Sequence, residues 1–166
     1  GALLNCQLNR LEKQTATRDR NGQHLAARIS QLPGLHPQRR PVNCTRHSYH
    51  LFMLRLDGTQ FGAPRPTVIK ALQAEGIPCW GGYAISLHRQ PMFQNKSFGP
   101  YLATARRRLN YGRVNCPNSD LICREQGLWI EQRIFLGSRK DMDDIARAFE
   151  KVHEQRDALK KWSRQS

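Results

Sequence analysis

Apolar residues in the first 32 positions recur at helical spacing, with Leu4, Leu8 and Leu11, then Leu25, Ile29 and Leu32, falling on one face. Between them, Lys13 to Gly22 is almost wholly polar, so this part of the predicted helix is expected to be exposed or to meet a polar partner. Pro33-Gly34 supplies the stop signal. No Ser, Thr, Asp or Asn cap precedes the stripe, and the helix is expected to continue one from a longer chain. Over His47 to Leu56 the period changes to two. Tyr49, Leu51 and Met53 share one face and Phe52, Leu54 and Leu56 the other, which predicts a strand apolar on both sides and central in its sheet. Asp57-Gly58 turns the chain. A second helix is expected to open near Pro66, to carry the stripe Val68, Ile69 and Leu72, and to end on Gly76. An extended piece begins at Ile77, Asn118–Gly127 reads as a short helix, and Leu128–Leu136 alternates as a strand. A last helix is capped by Ser138, with Asp141, Asp143 and Asp144 in its first turn and Lys160-Lys161 in its last. Met142, Ile145, Phe149, Val152 and Leu159 form its buried stripe.

The order helix, strand, helix, strand, short helix, strand, helix predicts an α/β (α+β) layer, a small mixed or antiparallel sheet covered by helices. Gln94 to Asn115 fits no regular pattern and reads as a long loop.

One connection breaks the rule that surface segments carry polar turn residues. Gly76 to Phe93 places Trp80, Tyr83 and Phe93 around a single His88, beside Gly81-Gly82. Aromatic walls, one imidazole and backbone freedom suit a pocket for a polar small molecule. A packed crossover whose His88 bonds a backbone carbonyl suits the same residues.

Charge sharpens this picture. The formal net charge is +14, and no acidic residue occurs from Gly76 through Ser119, where Arg89, Lys96, Arg106, Arg107, Arg108 and Arg113 all lie. No helix-turn-helix, zinc-finger or RNP pattern accompanies the triple arginine, so a phosphate-attracting pocket fits better than a nucleic-acid groove. Five widely spread cysteines form no disulfide framework and point to a reducing, cytoplasmic compartment. No apolar run approaches the roughly 18 residues of a bilayer span, and the N-terminus lacks the pattern of a secretory leader.

Several chemistries are excluded. There is no G-x-G-x-x-G and no Walker loop. Cys44, His47 and His50 have a metal-like spacing, but strand alternation sets the two histidines on opposite faces and no second ligand pair follows. None of the seven lysines lies in an apolar setting that would lower its pKa for Schiff-base work.

Four stretches in order, QLNRLE with RDRNGQHLAARISQLPGL, HSYHLFMLRLD, ALQAEGIPCWGGYAISLHRQPMF and LWIEQRIFLGSRKDMDDIARAFEKV, resemble the C-terminal portion of the DegT/DnrJ/StrS-type aminotransferases. The family's Tyr-x-x-x-Leu-His element is matched by Tyr83 and His88, with Ala84-Ile85-Ser86 where a proline-containing step is usual. The resemblance implies the small C-terminal domain of a fold type I pyridoxal-phosphate enzyme. Residues 1–34 would be a connecting helix and 35–166 the small domain, the large cofactor-binding domain with its lysine lying outside this chain. It also implies a homodimer, glutamate or glutamine as amino donor, a keto-sugar acceptor expected to be nucleotide-linked, and substrate contacts from Tyr83, His88 and Arg89. On that basis the chain alone is expected to be inactive, and no catalytic residue falls within it. The alternative is a non-enzymatic basic module binding nucleic acid or anionic glycan.

Overall fold

The computed structural model describes residues 1–97, 99–101 and 108–164. Its first element is α1 (Ala2–Ile29), followed by β1 (Leu35–Pro37) and β2 (Leu51–Leu56). After a short α2 (Gly58–Phe61) come α3 (Arg65–Ala74) and β3 (Cys79–Trp80). The aromatic stretch continues through a 3₁₀ turn at Leu87–Arg89 into α4 (Pro91–Gln94). Then α5 (Pro117–Leu121) runs through a π-helical turn, Ile122–Gln126, into β4 (Gly127–Glu131). Finally α6 (Arg139–Glu154) is followed by α7 (Arg156–Trp162).

The sheet is antiparallel throughout, in the order β1-β2-β4-β3. The antiparallel form of the sequence-based expectation is the one observed, and β2 is central as predicted. Only one of its faces is closed, however. Phe52, Leu54 and Leu56 are buried with Leu128 and Ile130 of β4 and Cys79 of β3, whereas Leu51, Met53 and Arg55 stay half-exposed. Helices cover the closed face with Leu25 and Ile29 from α1, Val68 and Leu72 from α3, and Met142, Ile145, Phe149 and Val152 from α6. The open face carries Trp80 and Trp129, which sit opposite each other across β3 and β4.

Tyr49 does not continue the β2 alternation. Its φ of 47° turns it out of the strand, and its buried ring stacks on Phe52 at 5.7 Å and Phe135 at 6.1 Å. A Cβ at Gly22 would lie 2.5 Å from that ring, so this glycine of α1 is what allows the tyrosine in.

The polar middle of α1 meets polar partners inside the chain. Asn21 Nδ2 donates to the carbonyls of Phe135 and Gly137, each at 2.9 Å, and Asp19 Oδ1 accepts from Arg40 Nη1 at 2.6 Å. This explains why the strand expected over Leu128–Leu136 stops at Glu131. Phe135 is captured by the aromatic stack, its ring 5.0 Å from Phe52, and Gln132–Leu136 winds into a 3₁₀ turn that presents carbonyls to Asn21. Of the α1 stripe only Leu25 and Ile29 are buried, while Leu3, Leu4, Leu8 and Leu11 are exposed.

The helix boundaries follow their signals. Gly76 takes a φ of 84° after α3, and Ser138 with Asp141 forms a reciprocal capping box on α6. Asp143, expected in that cap, instead bridges to α1 through His24 Nε2 at 2.6 Å and Arg28 Nη1 at 3.0 Å, while Arg28 Nη2 reaches Glu150 at 2.7 Å. The last helix is also broken where one was expected. Arg156 Nη1 caps the carbonyl of His153 at 3.1 Å, and Lys160 and Lys161 belong to the separate α7. Among the described residues no helix is long and apolar enough to cross a membrane.

Candidate functional site

The stretch singled out by its aromatic residues lies on the open face of the sheet. Tyr83 is 68% exposed and meets Trp129 edge-to-face at 5.0 Å; Trp129 in turn packs edge-on to Trp80 at 6.1 Å. Gly82 makes this approach possible. Its φ is 74°, and a Cβ there would lie 2.7 Å from Trp129 Cε2. Phe93, at the far end, packs on Tyr111 with ring centroids 5.2 Å apart.

His88 sits differently. Its side chain is 10% exposed, and Nε2 is fully enclosed with no hydrogen-bond partner, 3.9 Å from Asp120 Oδ1. The backbone-carbonyl bond that a packed-crossover reading requires is therefore absent at Nε2. Asp120 is the centre of a compact cluster. Its Oδ1 accepts from the Ser86 hydroxyl and from Arg89 Nε at 2.9 Å; its Oδ2 accepts from Arg89 Nε at 2.9 Å and Nη2 at 2.8 Å. The Arg89 and Ser86 hydrogen bonds hold the Asp120 carboxyl far below the usual carboxylate range. Reciprocally, Asp120 raises the Arg89 guanidinium above its ordinary value. Arg89 remains 58% exposed, so its outer face is open while its charge is paired within the chain.

A second set of polar contacts fixes the same loop from behind. Arg65, at the start of α3, donates from Nη1 to the carbonyls of Gly81 at 3.1 Å, Cys123 at 3.2 Å and Gly127 at 3.1 Å, and from Nη2 to that of Arg124 at 2.6 Å. Burial pushes this guanidinium below its ordinary value, but four carbonyl dipoles face it. Arg65 and Asp120 thus bind residues 81–89 to residues 117–127 at two places.

The structure accordingly brings His88 and Arg89 together at Asp120 and leaves Tyr83 separately on the tryptophan pair. Sequence reasoning missed Asp120, Ser86 and Arg65. One signal was available for Asp120, because it is the first acidic residue after the acid-free span and stands where the basic excess needs a partner. Of the arginine cluster, Arg108 and Arg113 are exposed, and Arg106 and Arg107 lie outside the described residues. None of the seven lysines is buried, and Lys140 and Lys151 pair with Asp144 and Glu75. These lysines do not fit the anchor of a pyridoxal phosphate, so no step through that cofactor is assigned to this chain.

The DegT/DnrJ/EryC1/StrS aminotransferase family model matches residues 1–126. The L-glutamine:2-deoxy-scyllo-inosose aminotransferase of Streptoalloteichus tenebrarius is 32% identical over 162 residues, covering 91% of this chain and 36% of the relative. The 3-amino-5-hydroxybenzoate synthase of Amycolatopsis mediterranei is 25% identical over 145 residues, covering 87% and 35%. Among solved structures, 3-amino-5-hydroxybenzoic acid synthase superposes with a TM-score of 0.68 at 24% identity, over 90% of this chain and 36% of that one. DesI, crystallised with its TDP-sugar product, gives 0.65 at 15% identity, over 95% and 35%. The chain thus spans about a third of the length of these relatives. With its matched segment running from the first helix through the Asp120 cluster, the chain belongs to the DegT/DnrJ/EryC1/StrS aminotransferase family.

Proposed function

We propose that this chain is the substrate-facing small domain, with its connecting helix, of a pyridoxal-phosphate-dependent aminotransferase. That enzyme passes the amino group of L-glutamine to a ring ketone on a polyhydroxylated, sugar-like substrate. The observation that carries this reading is a loop fastened by Asp120 and Arg65 that holds an enclosed His88 at Asp120 and, separately, an exposed Tyr83 on Trp129. A surface loop fixed at two places is preorganised to present polar groups to a ligand. Family membership supplies the reaction class, and the inosose aminotransferases among the relatives supply the donor and the cyclic polyol ketone. The cofactor would supply the electron sink when bound to the rest of the enzyme. Tyr83, His88 and Arg89 would contact the substrate. A homodimer, a reducing cytoplasmic setting and inactivity of the chain on its own belong to the same proposal.

A nucleotide-linked keto-sugar is the second reading. The net charge of +14 and the structural likeness to DesI favour it. The two are separated by assaying an intact enzyme that contains this chain, with L-glutamine as donor and either free 2-deoxy-scyllo-inosose or a TDP-linked keto-sugar as acceptor. The first reading expects turnover of the free cyclitol ketone. His88→Ala should lower kcat/KM at least tenfold, about 1.4 kcal/mol of transition-state stabilisation, and impair turnover far more than the fold, with the melting temperature as control. Turnover of the nucleotide-linked acceptor alone selects the second reading. Unchanged kcat/KM in His88→Ala with either acceptor removes His88 from the site.

A further inference from the structure

His88 Nε2 is enclosed, has no hydrogen-bond partner, and faces a carboxylate oxygen at 3.9 Å. We propose that Asp120 is a positioning residue that fixes the imidazole of His88 as the Nε2–H tautomer and thereby leaves Nδ1 as the ring's hydrogen-bond acceptor for a substrate hydroxyl.

The selection is electrostatic. A neutral imidazole carries a proton on one nitrogen and a lone pair on the other, and its surroundings choose which. Here the choice is made in a site screened from water. A lone pair on Nε2 would face the negative Oδ1 at close range; an N–H there turns its positive end toward it. At 3.9 Å the contact is too long for a hydrogen bond, so the charge–dipole interaction alone selects the tautomer. Ser86 and both engaged nitrogens of Arg89 direct donors at Asp120, which keeps the carboxylate ionised and fixed in orientation. Arg65 holds the carbonyls of Gly81 and Cys123, so the loop bearing His88 and the segment following Asp120 cannot easily move apart. An acceptor at Nδ1 suits a polyol, whose hydroxyl protons need partners; that consequence rests on the proposed function, whereas the tautomer itself does not.

The test reads the tautomer directly. In the ¹⁵N-histidine-labelled chain, a long-range ¹H–¹⁵N correlation spectrum is recorded about two units above the ordinary imidazole pKa of ~6.5. The result expected is a protonated Nε2 and a bare Nδ1 at His88; the reverse pattern overturns the proposal without any variant. Asp120→Asn should invert it. Its single amide oxygen is drawn to the Arg89 fork and its NH₂ group faces the ring. An unchanged Nε2–H in an Asp120→Asn chain with a wild-type backbone amide spectrum overturns the proposal. Should that variant not fold, the wild-type spectrum still decides. Ser86→Ala serves as a second arm, expected to keep Nε2–H because the carboxylate remains, and inversion there counts against the proposal. In an intact active enzyme, Asp120→Asn should reduce kcat/KM by about 10–100-fold, the size of effect that carboxylate partners have on the metal-ligating histidines they orient. An inverted tautomer without that loss preserves the positioning role and removes the substrate role of His88.

Discussion

The helix-covered face of the sheet and the loop layer from Gly81 to Gly127 share β4, yet they are held together by different physics. On the closed face, Phe52, Leu56, Leu128, Ile130, Met142 and Phe149 are almost wholly removed from water and belong to one cluster drawn from several elements. The described residues of the loop layer include few such side chains. Its cohesion comes from the Asp120 cluster, the four carbonyls around Arg65 and the Trp80–Trp129–Tyr83 contacts at the surface. Apolar burial is non-directional and tolerates small adjustments, whereas hydrogen-bonded charges fix orientation at a cost in desolvation. A fold can rest on the first; a site that must present particular atoms needs the second.

Phe149 is fully buried on α6, and Phe149→Ala should destabilise the chain by about 3–5 kcal/mol, the transfer loss of the ring plus the cavity it leaves. Urea unfolding followed by circular dichroism measures this. Because the described residues of the loop layer form no independent core, the fluorescence of Trp129 should be lost at the same midpoint. A separate, later loss would mean that the polar layer folds on its own strength.

Asn21 tests the join between the two kinds of cohesion. Asn21→Ala removes both donors to the Phe135 and Gly137 carbonyls and should cost about 1–3 kcal/mol, since buried acceptors are left without partners. Asn21→Leu, of similar volume but without donors, should be no better. Recovery of stability in that variant would show that packing, not hydrogen bonding, keeps Gln132–Leu136 out of the strand.

This division also explains what the sequence could reveal. Apolar periodicity and caps are local, so β2, the Pro66 to Gly76 limits of α3 and the Ser138 cap could be read directly. Asn21 lay in the polar stretch expected to be exposed or to meet a polar partner, but that partner could not be named, because it is a pair of backbone carbonyls more than a hundred residues away. Tyr49 fitted the alternation of β2, and only its positive φ, required by the fit against Gly22, takes it elsewhere. At the site, composition was enough to single out the stretch holding Tyr83 and His88. What fastens it was not legible. Arg65 acts on carbonyls, which every residue has, and Asp120 stands 34 and 31 positions from its partners Ser86 and Arg89, with no local pattern to join them.

The smallest effects should come from loosening the loop layer alone, and the cysteines report on both regions. Arg65→Gln removes the donor to Gly81, Cys123, Arg124 and Gly127 while leaving the closed face untouched. Global stability should fall by only about 1–2 kcal/mol, the guanidinium's own desolvation cost being relieved at the same time. Alkylation of the half-buried Cys123 should accelerate several-fold. Cys79 should not respond, because burial pushes its thiol up to about 11 and leaves on the order of a thousandth as thiolate at pH 8. The sign of that shift makes a further check. The folded state keeps the Cys79 proton to higher pH than the unfolded state, so stability should decline as pH rises from the ordinary value of 9.0 toward 11. Cys79→Ala should flatten this alkaline decline, in wild type and in Arg65→Gln alike. Faster Cys79 labelling in Arg65→Gln would show that the guanidinium also braces the core, and the boundary drawn here at β4 would have to move.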